Sequence, residues 1–269
     1  MRNTARTATI AAVVAAFLLV PAGLRTQDST QQVLEFDDVS ESTVGEFPAK
    51  WQWRRERSTG NAEKARREGV DVFRWTTEAE GGNQYIHIRD EYRPGPTVSL
   101  FLDDEDFDWD LREHPILSWR WRVNEIPPGA DERYTETNDI PASVAVVYGT
   151  RWRIWPITIK WVWSSTLPLG AVAHRGGRGQ AHTVVVGTGT ERLGEWITIE
   201  RNIVEDYRAI FGEDPPDHPK AIQISTDANR TVGGASEADY DDFRALSAFS
   251  PGFPKEPLTL LTDYPREER

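Results

Sequence analysis

The chain has 269 residues, with 43 Asp plus Glu against 31 Lys plus Arg and no cysteine. Its formal charge of -12 at pH 7 repels phosphate backbones and argues against nucleic acid as a partner. Without cysteine there is no disulfide, no thiolate metal site and no cysteine-linked lipid, so stability must come from a buried core, and the length suits one large all-β domain.

Residues 1–24 read as a signal peptide: Arg2 and Arg6 precede an unbroken apolar run from Ile10 to Val20, then the small residues Pro21, Ala22 and Gly23. The run is shorter than the roughly 20 apolar residues of a membrane span, so the mature chain is expected to be exported to the periplasm or envelope with no transmembrane span. An uncleaved N-terminal anchor is the alternative. A polar linker at 25–32, a β-sandwich domain at 33–249 and an extended proline-rich tail at 250–269 complete the expected organisation.

Within the domain, apolar residues alternate with polar ones at period two, punctuated by Gly, Pro, Asn and Asp, which predicts strands. They fall at Val70 to Thr77, Tyr85 to Arg89, Val98 to Leu102, Ile116 to Val123, Ser143 to Tyr148, Ile157 to Trp163, Thr183 to Val186, Trp196 to Arg201, Ala221 to Ser225 and Tyr240 to Leu246. The clearest is Ile116 to Val123, where Leu117, Trp119, Trp121 and Val123 share one face and Ser118, Arg120 and Arg122 the other. About ten strands point to an all-β, two-sheet antiparallel sandwich of jelly-roll type. One short helix is expected at Ile203 to Phe211, where Asn202 and Glu205 have capping-box spacing and Gly212 stops it. The clusters Arg54, Arg55, Arg57 and Lys64, Arg66, Arg67, interleaved with Glu56, Glu63 and Glu68, read as a solvated mixed-charge loop.

Trp119, Trp121, Trp161 and Trp163 read as core. Trp152 and Trp155 stand in a turn-like run beside Arg151 and Arg153; they form either a platform for a sugar ring or a partner, or a loop folded back on the core. His174 and His182 flank a glycine-rich stretch, Arg175 to Gly179, that reads as a hairpin loop; the histidines lack metal or triad spacing. Among carboxylates, Glu132 and Asp139 follow the Trp119 to Val123 strand, and Asp227 with Asn229 follows the strand ending at Ser225, so strand-end loops are expected to bring them to one rim. Acids also bracket the domain, with Glu35, Asp37 and Asp38 in the first strand and Asp239, Asp241 and Asp242 in the last. Such oxygen-rich sets suit calcium. The Phe36 to Asp38 and Tyr240 to Phe243 segments resemble galactose-binding-like carbohydrate-binding modules, a resemblance that implies a structural calcium held by Glu35, Asp37, Asp241 and Asp242 between the first and last strands.

A longer ordered set resembles one bacterial family. WRWRV at Trp119 to Val123, GADER at Gly129 to Arg133, NDIPASVAVVY at Asn138 to Tyr148, KWVWSS at Lys160 to Ser165, ERNIVEDYRAIFGEDPP at Glu200 to Pro216 and ISTDANRT at Ile224 to Thr231 are similar to domain-of-unknown-function family 3047. The resemblance spans about Val33 to Leu246 and implies an exported sandwich protein with no assigned catalytic residues. The family pattern carries an acidic pair where this chain has Asn138 and Asp139, and an aspartate near Ala228; this chain departs from it at both places.

The leading expectation is a binding protein for a carbohydrate-like or other polar ligand. Its groove would be lined by Arg120, Arg122, Asp131, Glu132, Arg133, Asp139, Asp227 and Asn229, with Arg122, Arg133, Asp139 and Asp227 in mutual contact. The alternatives are a glycan hydrolase or lyase using Glu132 with Asp139 or Glu200 with Asp227, and a salt-bridged scaffold for a protein partner.

Overall fold

In the computed structural model, which describes residues 31–262 apart from 56–57, 73, 92–98, 104, 106, 178, 180 and 232, two sheets face each other across a layer of tryptophans. The expected signal peptide at 1–24 lies outside the described residues, as do 25–30 of the linker and the end of the tail. In chain order the elements are β1 (Val33–Asp37), β2 (Gln52–Arg55), β3 (Ser58–Gly60), α1 (Ala62–Glu68), β4 (Trp75–Glu80), β5 (Asn83–Glu91), β6 (Ser99–Asp103), β7 (Ile116–Glu125) and β8 (Ile140–Arg151). There follow β9 (Trp155–Ser164), β10 (Ala171–Ala173), β11 (His182–Thr188), β12 (Trp196–Asn202), α2 (Ile203–Phe211), β13 (Ala221–Asp227), β14 (Ala235–Leu246) and β15 (Thr259–Leu260).

The six-stranded sheet runs β12-β7-β14-β5-β4, with β1 also paired to β14; the nine-stranded sheet runs β15-β10-β11-β9-β8-β13-β6-β2-β3. The result is the expected jelly-roll sandwich. Pairing is antiparallel save for β11 on β9 and β15 on β10, which are parallel. Among the described residues no helix is long and apolar enough to cross a membrane.

Period two explains the core. Trp119 and Trp121 of β7 point inward and meet Trp161 and Trp163 of β9, with ring centroids 6.2 and 6.3 Å apart across the layer, and all four are buried. Burying an aromatic removes about 150–250 Å² from water, on the order of 4–6 kcal/mol each, which makes the facing of these strands costly to reverse. Gly187 lets β11 pass over Trp163, because a Cβ there would lie 2.3 Å from the indole.

Helix α2 has the expected bounds: the Asn202 side chain accepts from Glu205 N at 3.0 Å, and Gly212 closes the helix at φ 72°. The stretch holding Lys64, Arg66 and Arg67 is a correction. It is helix α1, capped by Asn61, which accepts from Lys64 N at 3.0 Å, and by Gly69 at φ 67°, with Ala65 buried beneath it. The tail is extended and becomes a strand: Leu261 N donates to Val172 O at 2.9 Å, and Leu258 and Leu261 pack on the apolar clusters.

Tyr240 of β14 ties the two sheets together. Its hydroxyl donates to Ser225 O at 3.0 Å, accepts from Ser143 N at 3.1 Å and lies 2.7 Å from Thr226 Oγ1, beside the bulge between Ser225 and Asp227. The residue is fully buried. Tyr240→Phe strands the Ser143 N–H in the interior, so a loss of about 1–3 kcal/mol is expected in urea denaturation, whereas an unchanged midpoint would mean that the bulge satisfies its own backbone.

Candidate functional site

Arg120 and Arg122 project from the outer face of the six-stranded sheet, opposite the tryptophans, as the alternation requires. Arg122 Nε donates to Asp239 Oδ2 at 2.7 Å and its NH1 to Glu80 at 2.7 Å, while Arg120 Nε donates to Asp241 Oδ2 at 2.9 Å. Both guanidinium groups lie over the Trp196 ring, at 4.7 and 4.9 Å from its centroid. Asp239 is buried, and that burial opposes its charge; the bonds from His87, Arg122 and Asn124 outweigh it and hold the carboxyl below the usual range.

The single groove expected from the sequence is therefore not formed. Arg120 and Arg122 are met by Asp241, Asp239 and Glu80, whereas Asp139 immediately precedes β8 and Asp227 ends β13, both of the other sheet. Arg133 makes a bidentate pair with Asp131 two residues away, at 2.6 and 2.9 Å. The expected calcium site also needs correction. β1 and β14 are neighbours, with Glu35 opposite Arg244, but Asp37 accepts from Trp51 Nε1 at 2.8 Å and from Val39 N, and Asp241 is taken by Arg120 and Asn83. Asp242 lies 3.1 Å from Arg120. Among the described residues no three acids, histidines or cysteines converge to hold a metal.

A second polar set lies on the outer face of the nine-stranded sheet. Lys160 points outward between the core residues Ile159 and Trp161, and register places it beside Ala145, which lies beside Gln223 and then Phe101. Lys160 Nζ reaches Ser225 Oγ at 3.4 Å, which lies 2.6 Å from Ser143 Oγ. At the end of the same strands, Asp139 accepts from Arg230 N at 2.7 Å and from Thr231 N, in the turn that holds Asn229. Asp227 stands near enough for the Asp139 charge to act on it. Burial pushes Asp227 up to about 7, against the attraction of Lys160, with Asp139 and Asp90 pushing the same way. Burial likewise lowers Lys160, against Asp227.

Glu132 is almost fully enclosed in the loop before β8. It accepts from Ser164 Oγ at 2.7 Å, its other oxygen meets no donor among the described residues, and burial raises it to about 7. The expected pair of Glu200 with Asp227 does not assemble: Glu200 of β12, in the six-stranded sheet, accepts from Ser250 N at 2.8 Å and from its hydroxyl, while Asp227 ends β13 of the nine-stranded sheet.

At the tip of the β8–β9 hairpin a cleft of about 240 Å³ opens, where Ile157 and His182 continue the inward phase of β9 and β11. Trp152, Trp155, Arg151, Thr158, His174 and His182 line it, along with Phe211 of α2 and the glycine-rich loop. Trp152 is 68% exposed and does not fold back on the core. His174 and His182 stack at 4.0 Å, and His182 meets the edge of Phe211. Gly179 seats the loop against the hairpin, since a Cβ there would come within 3.1 Å of Trp155 and Pro156. The glycine-rich stretch is thus the expected hairpin loop, joining β10 to β11 and walling the cleft. Sequence reasoning missed Lys160, Ser143 and Ser225; their signal was the outward phase of strands already recognised by their inward tryptophans and valines.

Fold and site together define an all-β jelly-roll sandwich with an aromatic-lined cleft at the tip of the β8–β9 hairpin. The chain belongs to the family described as "Protein of unknown function (DUF3047)", whose model matches residues 73–244. No curated protein matches it. Among solved structures it is similar to the family 11 carbohydrate-binding module of the cellulosomal cellulase Lic26A-Cel5E of Clostridium thermocellum, at 9% identity over 87% of this chain and 98% of that one, TM-score 0.38. It is also similar to the xyloglucanase domain of NopAA from Sinorhizobium fredii, at 10% identity over 63% and 91%, TM-score 0.34.

Two outcomes are expected. Arg122→Ala leaves Asp239 buried without its guanidinium, so unfolding should become easier by about 3–5 kcal/mol in denaturant titration; a loss within 0.5 kcal/mol, about the usual surface value, would return Arg122 to the surface-residue class. The second concerns pH. An unfolded chain releases the Glu132 proton near the ordinary 4.5 and the folded chain near 7, so folding takes up a proton between those values. Stability is then greatest at the acidic end of that window and falls as pH rises through 7. Urea midpoints at pH 5 and pH 8 should drop less in Glu132→Gln than in the parent, and equal drops would show that Glu132 titrates as an ordinary carboxylate.

Proposed function

We propose that this is an exported glycan-binding protein of the periplasm or envelope whose ligand sits in the cleft at the β8–β9 hairpin tip. The observation that carries the reading is the meeting, in one cleft, of an exposed tryptophan pair with imidazole, guanidinium and hydroxyl groups on Arg151, Thr158, His174 and His182. A sugar ring presents an apolar face of C–H groups and a polar edge of hydroxyls, and this cleft offers an indole surface and hydrogen-bonding groups to match.

Backbone geometry supports the same site. Trp152 and Arg153 have φ of 51° and 60°, and Ile154 N donates to Arg151 O at 3.3 Å, the signs of a type I′ turn that Asn and Gly ordinarily occupy. Holding bulky side chains there fixes the indole at the mouth of the cleft before any ligand arrives, which lowers the ordering cost of binding.

The test is a glycan array on the mature chain, followed by calorimetry with the best hit for the parent, Trp152→Ala and Trp155→Ala. Each variant is expected to bind at least about tenfold more weakly, since anchoring aromatics carry most of an interface's energy. Melting temperature should stay at the parent value for Trp152→Ala because that ring is exposed. Unchanged affinity in both variants would move the ligand away from this cleft.

A further inference from the structure

Resting on the cleft as the glycan site, we infer that its ligand is an anionic glycan, one that carries carboxylate or sulfate groups. The chain as a whole is acidic, with 43 Asp plus Glu to 31 Lys plus Arg. The cleft reverses that sign. Among its described lining residues there is one arginine and two histidines and no carboxylate. Arg153 stands exposed in the same turn, Arg175 begins the loop that walls the cleft, and Lys160 follows Thr158 at the next outward position of β9.

The carboxylates that approach this cationic end do not cancel it. Arg151 NH2 meets Glu213 at 3.1 Å, but both side chains are more than half exposed, so water screens the pair and a ligand anion can compete for the guanidinium. Asp227 attracts Lys160, and burial weakens the charge of both, so the cationic character of the cleft rests on Arg151 and Arg153. A locally cationic cleft in an anionic molecule focuses the field on whatever enters it and disfavours approach elsewhere on the surface. Neutral sugars would gain nothing from such an arrangement. An anionic sugar gains charge-assisted bonds from Arg151 and Arg153 while its ring lies on the indole.

Calorimetry on the mature chain should use three oligosaccharides of equal length, one of hexuronate residues, one sulfated and one neutral. Either anionic probe is expected to bind at least about tenfold more tightly than the neutral one, with the advantage shrinking as sodium chloride rises. Whichever anionic probe binds better identifies the acidic group. The double variant Arg151→Gln, Arg153→Gln should weaken that probe about tenfold more than it weakens the neutral one, and equal losses for the two would overturn the anionic assignment. If the neutral oligosaccharide binds as tightly as both anionic ones, the anionic assignment fails and the glycan site stands. If no oligosaccharide of any kind binds, on this set or on the array, the glycan reading itself falls and this inference with it.

Discussion

The dry layer of tryptophan between the sheets is the constraint on which the rest depends. Trp119 and Trp121 from one sheet and Trp161 and Trp163 from the other face each other, because turning either strand over would expose two buried indoles to water. A strand has only two faces, so each inward tryptophan fixes the outward direction of its neighbour. Arg120 and Arg122 are thereby sent to one exterior of the sandwich and Lys160 to the other. The two charge systems of the molecule are separated by the core itself.

Each exterior then meets the demands of half-buried charge differently. On the six-stranded sheet, cations and anions balance closely: Arg122 and His87 share Asp239, Arg120 engages Asp241, and Arg89 bridges Glu125 and Glu237. Burial favours such pairing, since an unpaired ion inside would be far less stable than the pair. On the nine-stranded sheet acids outnumber cations near the strand ends. Lys160 attracts Asp227, while Glu132 is enclosed with only the Ser164 hydroxyl at its carboxyl, and burial, more than neighbouring charge, raises both acids to about 7.

Much of this was legible in the residues. Period two identified which side of WRWRV and KWVWSS is buried, and the spacing of Asn202, Glu205 and Gly212 bounded helix α2. The groove was misjudged for a physical reason: local pattern says which face a side chain takes but not which strands lie together. The GADER loop follows β7 in sequence, yet it leads into β8, which pairs with β9 and β13 rather than with β7, so Asp139 is carried to the opposite sheet. Helix α1 was hidden because its charges resemble a solvated loop and only Asn61 and Gly69 mark its ends. For the calcium site, strand adjacency was readable, but the prior commitment of Asp37 to Trp51 and of Asp241 to Arg120 was not, since those partners are distant in sequence.

The hairpin tip shows how function-bearing geometry can be held against local preference. L-residues other than Gly, Asn and Asp disfavour the left-handed region by about 1–2 kcal/mol each, and Trp152 and Arg153 occupy it in succession. Nothing within a five-residue turn offsets that amount, so the support has to come from outside it. The loop after β10 supplies it: Gly179 packs on Trp155 and Pro156, and its missing Cβ is what permits so close an approach. The two walls of the cleft therefore stabilise one another, the glycine loop holding the aromatic turn and the turn giving the loop a surface to rest on. The glycine-rich loop and the strained aromatic turn come together because β9 pairs in parallel with β11.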